Sequence, residues 1–127
     1  PGHTFFTVKP LAWDRSGLIA LDRHVFPYAD VMASCDVVVT KPGFGVLQEC
    51  AVNNKPMVYV ERENFREYPI LESALKRHFK AVHLPARALY RGELAEALAA
   101  VRQAPAPKER LPAGGDELAA AEILARF

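Results

Sequence analysis

Residues 36–45 decide the fold, and they read Asp-Val-Val-Val-Thr-Lys-Pro-Gly-Phe-Gly. The β-branched run from Asp36 to Thr40 shows no alternation of apolar and polar residues, which is typical of a parallel strand covered on both faces. Two glycines follow in Lys41–Gly45, the segment that we call the glycine loop. Apolar residues then recur at helical spacing as far as Ala51. We therefore predict a buried central strand, a glycine loop and a helix.

Strand and helix patterns alternate along most of the chain. The pattern stops the central helix at Asn53-Asn54-Lys55-Pro56, where asparagines accept left-handed geometry and a proline follows. Alternation at this spacing predicts successive crossovers and an α/β fold, a Rossmann-like open parallel sheet with helices on both faces. Further strands are predicted at residues 4–8, 18–21, 57–60 and 81–84, the first two joined across a turn at residues 14–17. Further helices are predicted at about residues 27–36, from Glu67 or Pro69 to His78, at 92–102 and at 116–126.

The length of 127 residues predicts one domain, and half of the residues are hydrophobic, which is enough for a buried core. We place a Rossmann-like domain at residues 1–103. A Pro- and Gly-rich connection follows at residues 104–115, and a last helix occupies residues 116–127 with Asp116 as its N-cap. Because the chain opens Pro1-Gly2 without an initiator Met, we expect it to be part of a longer protein.

Composition argues against several classes of function. The 16 Lys and Arg nearly balance the 15 Asp and Glu and form no basic stripe, so we do not expect nucleic acid as a partner. No apolar run is long enough for a transmembrane segment and no signal peptide is visible, which favours a cytoplasmic protein. The two cysteines and four histidines lack metal-ligand spacing, so we expect no metal and no cofactor.

The glycine loop is the strongest candidate site. Ligands of open parallel sheets sit beyond the carboxyl ends of the strands, where this loop is expected. Pro42-Gly43 predicts a tight turn, and Gly45 allows backbone to approach a ligand closely. The free N–H groups of the following helix favour an anion such as pyrophosphate. Alternatively, the glycines serve only a short connection between strand and helix.

Three charged residues extend this candidate site. Glu49 lies about one turn into the helix, and its side chain should lean back toward the loop, where it can bind vicinal ribose hydroxyls. Alternatively, it only complements the helix dipole. In the polar segment 61–68, Arg66 is a candidate for a phosphate and Glu67 for a sugar hydroxyl. The alternative there is a solvated loop.

Residues 36–45, Glu49, the helix stop at residues 53–56 and the strand Met57-Val58-Tyr59-Val60 together resemble the C-terminal, donor-binding domain of GT-B glycosyltransferases. The resemblance is to family 28, which includes the bacterial cell-wall N-acetylglucosaminyltransferases. It is closest to a branch of predicted glycosyltransferases that is also found joined to sugar kinases. It covers about Phe26 to Leu84. Where the family often places Gln or Asp-Gln in the sugar-contacting loop, this chain has Arg66-Glu67.

The resemblance implies a function for the site. The glycine-loop backbone would face the diphosphate of a nucleotide sugar, taken to be a uridine diphosphate sugar, Glu49 would bind the ribose and Glu67 the donor sugar. Transfer would be inverting and metal-independent, with an acceptor site and catalytic base in an N-terminal half that this chain lacks. The isolated chain would bind nucleotide weakly and catalyse nothing, so no catalytic residue is assigned. The candidate binding residues are Thr40, Lys41, Gly43, Phe44, Gly45, Val46, Glu49, Arg66 and Glu67.

Two other functions fit parts of the pattern. Gly43-Phe44-Gly45 after a buried strand also resembles the start of a dinucleotide-binding fingerprint, with Glu61 or Glu63 near its acidic position. Gln48 stands where that fingerprint has its third glycine. The second alternative is a regulatory or interaction module that keeps the fold without ligand binding.

Overall fold

The computed structural model describes residues 2–8 and 16–127. They form a mixed α/β structure of short parallel sheets and flanking helices, which is compatible with a Rossmann-like fold. The strands are β1 Phe5–Val8, β2 Leu18–Leu21, β3 Val38–Thr40, β4 Met57–Tyr59 and β5 Ala81–His83. The helices are α1 Tyr28–Ser34, α2 Phe44–Val52, α3 Tyr68–His78, α4 Ala86–Tyr90, α5 Ala95–Gln103 and α6 Gly115–Leu124.

All strand pairs are parallel, as the sequence predicts, but the described strands form two sheets. One contains β1 and β2, with Phe5 opposite Leu18, and the other has the order β3-β4-β5. The single open sheet expected from the sequence is therefore seen only in part. Hydrophobic periodicity identifies strands one at a time and carries no information on which edges pair.

The chain divides into two compact units, Pro1–Cys35 and Asp36–Phe127. The buried hydrophobic core belongs almost wholly to the second unit, with Met32 in the first. At the centre of the three-stranded sheet, the residues of β4 are at most 3% exposed. Helix α5 packs on β4 and β5, with Ala97, Leu98 and Val101 buried. The candidate site residues all lie in this second unit.

Local signals account for the ends of α2 and α3. Helix α2 ends at Val52, with Asn53 as its C-cap, and Asn54 takes a left-handed φ of 50°. Lys55 N donates to Cys50 O over 2.8 Å, a backbone bond of the kind that closes helix C-termini. The predicted stop at residues 53–56 is thereby confirmed. Helix α3 carries Pro69 in its first turn and three basic residues in its last turn, where they complement the helix dipole.

Several predicted boundaries differ from the structure. The bounds of β2 match the prediction, and the other four strands are one or two residues shorter than predicted. Pro27 is the N-cap of α1, not its first helical residue. Residues 86–90 form α4, which the sequence analysis missed, and α5 begins three residues later than predicted. Of the predicted turn at residues 14–17, Asp14 and Arg15 lie outside the described residues.

Asp116 is not the N-cap of the last helix. That position is Gly114, which has a left-handed φ of 80°, and Asp116 lies within the first turn of α6. A glycine adopts this conformation without the steric cost that a side chain would carry. The left-handed glycine therefore sets the start of α6, ahead of the carboxylate on which the sequence prediction relied.

Candidate functional site

Backbone bonds place the glycine loop at the carboxyl end of β3. Val60 N donates to Thr40 O over 3.1 Å, which continues the β3–β4 ladder to the last residue of β3. Pro42 is fully buried, and Gly43 is extended, with φ of −159° and ψ of 155°. Helix α2 begins at once with Phe44, so the predicted tight turn at Pro42-Gly43 is wrong. Phe44 and Gly45 belong to the first turn of the helix.

The first turn of α2 presents open backbone donors. Its first intrahelical bond runs from Leu47 N to Gly43 O over 3.0 Å. The amides of Phe44, Gly45 and Val46 therefore precede the helical ladder, and among the described residues none of them has a carbonyl partner. The N-cap, Gly43, has no side chain that could bond to them. Three consecutive N–H groups are thus left available at the positive end of the helix.

Both glycines leave space beside these donors. A Cβ atom added to Gly45 would meet no described atom within 4 Å, and one added to Gly43 would meet only Nη1 of Arg62, at 3.9 Å. The surface at the helix start is therefore not filled by other side chains. Phe44 is also 60% exposed at this position. The geometry suits a small anion that approaches the backbone closely.

Arg62 connects the glycine loop to the segment after β4. Its Nη1 donates to Pro42 O over 3.1 Å, and its guanidinium carbon lies 3.6 Å from the centre of the Phe65 ring. Arg62 and Phe65 are both half-buried. The cation predicted from the sequence in this segment is Arg66, whereas the structure brings Arg62 to the loop. The spacing of Arg62 and Phe65 in a short turn was the available signal, because it allows the ring to stack under the guanidinium.

Among the described hydrogen bonds, none joins the side chain of Glu49, Arg66 or Glu67 to the glycine loop. Lys41 is exposed, and Thr40 Oγ1 donates to Lys41 O over 3.0 Å. Glu49 is half-buried, and its backbone carbonyl accepts bonds from Asn53 N and Nδ2. Arg66 and Glu67 are exposed, and Glu67 precedes α3 as its N-cap. The structure therefore brings Pro42, Gly43 and Arg62 together, and the roles of Glu49, Arg66 and Glu67 stay predictions.

Glu61, next to Arg62 in sequence, binds the segment after β5 and not the glycine loop. Both of its carboxylate oxygens accept the Ala86 N–H, each over 3.0 Å, and Oε2 lies 2.9 Å from His83 Nε2. Hydrogen bonds from the Ala86 amide and from its own amide, and then the contact with His83, lower the pKa of Glu61 below its usual value. Glu61 thereby ties the loop after β4 to the start of α4. Sequence reasoning missed this role because α4 itself was not predicted.

Two tyrosines share a carboxylate near the end of β4. Tyr68 Oη donates to Glu72 Oε1 over 3.3 Å, and Lys76 Nζ lies 3.2 Å from Glu72 Oε2. Burial, and then the charge of Glu72 and a hydrogen bond to it, raise the pKa of Tyr59 to about 12. Burial and Glu72 likewise raise the pKa of Tyr68 to about 12. Both phenols therefore stay neutral donors at neutral pH.

Among the described residues, three surface depressions have volumes of about 440, 310 and 230 Å³. They lie along α3 and beside the segments that follow α2 and α5, and none of the candidate site residues lines them. In residues 2–8 and 16–127, no three His, Cys, Asp or Glu side chains are grouped to hold a metal ion. Within the same residues, no helix has the length and apolar character needed to cross a membrane.

Comparison of this chain with family models, curated proteins and solved structures gave no match.

Proposed function

We propose that the glycine loop and the start of α2 bind the diphosphate of a nucleotide-activated sugar, and that the chain is the donor-binding part of an inverting, metal-independent glycosyltransferase. The observation that supports this most is the run of open amides at residues 44–46. Two glycines lie at the same place. A Cβ added to Gly45 would meet open space, and one added to Gly43 would meet only Arg62.

The chemistry of this position favours a phosphate group. A helix N-terminus behaves as a partial positive charge of about half an elementary charge, and its free N–H groups point outward. In a transfer reaction, the same donors would stabilise the nucleoside diphosphate as it leaves, without a metal ion. The acceptor and the catalytic base would come from outside this chain.

The sugar ring and the ribose would be bound by the acidic residues around the loop. Glu49 is only half-buried and lies in the second turn of α2, within the same helix as the open amides. We assign it to the ribose hydroxyls. Glu67, exposed at the start of α3, is assigned to the donor sugar, and Lys41 and Arg66 supply nearby positive charge.

The contacts of Glu61 weigh against this residue as the ribose-binding acid of a dinucleotide site. In such sites an acidic residue after the neighbouring strand binds the ribose. Glu61 follows β4, next to β3, but both of its carboxylate oxygens are occupied by the Ala86 amide and one of them also by His83. A ribose would have to displace these bonds. Glu63, the other candidate for this acidic position, is exposed. A titration with NAD therefore decides between the two kinds of ligand.

The decisive experiment is a calorimetric titration of the full chain with uridine diphosphate. Gly45→Val should reduce the affinity about 100-fold or more while the fold is kept, because a Cβ added there meets no described atom within 4 Å and the side chain would fill the ligand space. The matched control is Gly115→Val, which makes the same change in the first turn of α6, where a Cβ also finds open space. This control should bind normally. Equal affinity of Gly45→Val and the control would show that the ligand lies elsewhere.

Two further titrations separate the alternatives. Glu49→Gln should weaken binding of uridine diphosphate about tenfold but leave that of its 2′,3′-dideoxy analogue unchanged, because only the former offers ribose hydroxyls. Stabilisation by NAD and not by uridine diphosphate would favour the dinucleotide alternative. Binding of neither at millimolar concentration would favour a regulatory or interaction module.

A further inference from the structure

Arg62 is the side chain that contacts the glycine loop from a neighbouring strand end. It reaches across twenty positions of sequence to Pro42 O, and its Nη1 lies beside Gly43, the N-cap of α2. Phe65 covers the guanidinium at 3.6 Å. No residue of the loop itself holds Pro42 O in this way among the described bonds.

We propose that Arg62 is a positioning residue that makes the glycine loop selective for a diphosphate, an inference that rests on the proposed function. The carbonyl oxygen of Pro42 carries partial negative charge next to the start of α2. By donating to it, Arg62 fixes the orientation of the Pro42–Gly43 peptide and offsets the charge that would repel an anion. The open amides then remain directed at the ligand.

Phe65 makes this arrangement specific for arginine. A planar guanidinium can stack on an aromatic face and donate in its own plane at the same time, whereas a lysine ammonium is a single flexible point charge. Arg62 donates to Pro42 O through one N–H, so further donors remain on its planar group. The benefit should grow with the negative charge of the ligand, because it is electrostatic.

The test is a series of nuclear magnetic resonance titrations of the full chain with uridine diphosphate, uridine monophosphate and uridine. Arg62→Met keeps an apolar stem over Phe65 but removes the donor and the charge. We expect at least about a tenfold loss of affinity for the diphosphate, a smaller loss for the monophosphate and no change for uridine. Arg62→Lys should restore part of the diphosphate affinity, because it returns the charge without the planar group.

The matched control is Arg87→Met, which removes the same charge from an exposed residue of α4. It should bind all three ligands like the unmodified chain. An equal loss for all three ligands in Arg62→Met would indicate a purely structural role and overturn the inference, and so would unchanged diphosphate affinity. Failure of Arg62→Lys to exceed Arg62→Met would overturn it as well. If the unmodified chain does not bind uridine diphosphate, the proposed function fails, and this inference fails with it.

Discussion

At the scale of single residues, burial and then Glu72 raise the pKa of two phenols, Tyr59 and Tyr68. Glu72 accepts a hydrogen bond from Tyr68, and its charge also acts on Tyr59. The pKa of each phenol is about 12 in the folded chain, against an ordinary value of 10.0. Because the pKa of each phenol is higher in the folded chain than in the unfolded chain, the two neutral phenols contribute to the free energy of unfolding. This contribution is complete below about pH 10 and is lost as the pH rises through about 12.

This arrangement predicts the effect of Glu72→Gln. The substitution removes the negative charge that opposes phenolate formation, so Tyr59 and Tyr68 should ionise at lower pH, although burial continues to raise the pKa of Tyr59. Ultraviolet absorbance of phenolate during an alkaline titration measures the change. Glu63→Gln, an exposed residue of the loop after β4, is the control and should leave the titration unaltered. Identical curves for the unmodified chain and Glu72→Gln would contradict the assignment.

The residues of the candidate site that could be predicted from the sequence are those whose type alone affects the backbone, such as glycine. Gly43 and Gly45 were identified from sequence, and the structure places them at the start of a helix with open amides. Arg62 was not identified, because its partner is a backbone carbonyl twenty positions away. Such a contact depends on which strand ends are neighbours, and one sequence does not contain that information directly.

At the scale of elements, α6 differs from the other long helices. None of its residues is buried, whereas α2, α3 and α5 each bury two or three side chains. Isolated helices of about ten residues are marginally stable in water. The start of α6 at the left-handed Gly114 therefore matters for its local stability.

Gly114→Ala and Gly115→Ala form a matched pair of adjacent substitutions. Gly114→Ala should destabilise α6 locally by about 1 kcal/mol, because alanine is strained at a φ of 80°. Gly115→Ala should stabilise the helix by roughly 0.5–1 kcal/mol, because the position is helical and a Cβ finds open space. Amide hydrogen exchange within α6 is the measurement. The melting temperature of the chain should barely change in either variant, and equal exchange in the two would refute the argument.

Most elements could be predicted because their hydrophobic periodicity is local. The bounds of β2 match the prediction, and those of α3 match to within one residue. Helix α4 could not be predicted from hydrophobic periodicity, because it has only five residues and one buried side chain, Ala88. Its start depends on the carboxylate of Glu61, which is distant in sequence.

At the scale of the whole molecule, the two units are unequal. All the buried hydrophobic side chains of the described core except Met32 belong to residues 36–127, and so do all candidate site residues. Pro1–Cys35 contains a two-stranded sheet and one short helix, and chains below about 40 residues rarely fold without added constraints.

We expect the fragment of residues 36–127 to fold cooperatively and to bind pyrophosphate with the affinity of the full chain. The physical reason is that the three-stranded sheet, α5 and the open amides of α2 all lie within it. Thermal unfolding followed by circular dichroism and a pyrophosphate titration are the measurements. The fragment 1–35 is the comparison and should show no cooperative transition. A non-cooperative melt of fragment 36–127 would show that the larger unit depends on the smaller one.

The fold class of the chain could be predicted from the sequence, but the pairing of its strands into sheets could not. Alternating strands and helices indicated parallel sheets, and every observed strand pair is parallel. The division into two sheets and two units could not be inferred, because it depends on contacts between distant residues.

The neighbours Glu61 and Arg62 have a practical consequence for labelling the protein. Glu61 accepts a hydrogen bond from Ala86, and Arg62 donates one to Pro42. Two consecutive side chains of the loop after β4 therefore bind two different segments of the chain. An inserted residue between Glu61 and Arg62 would turn one of the two away from its partner. Residues 111–113 are exposed and have no such ties among the described bonds. A fluorophore or affinity tag is therefore best attached there.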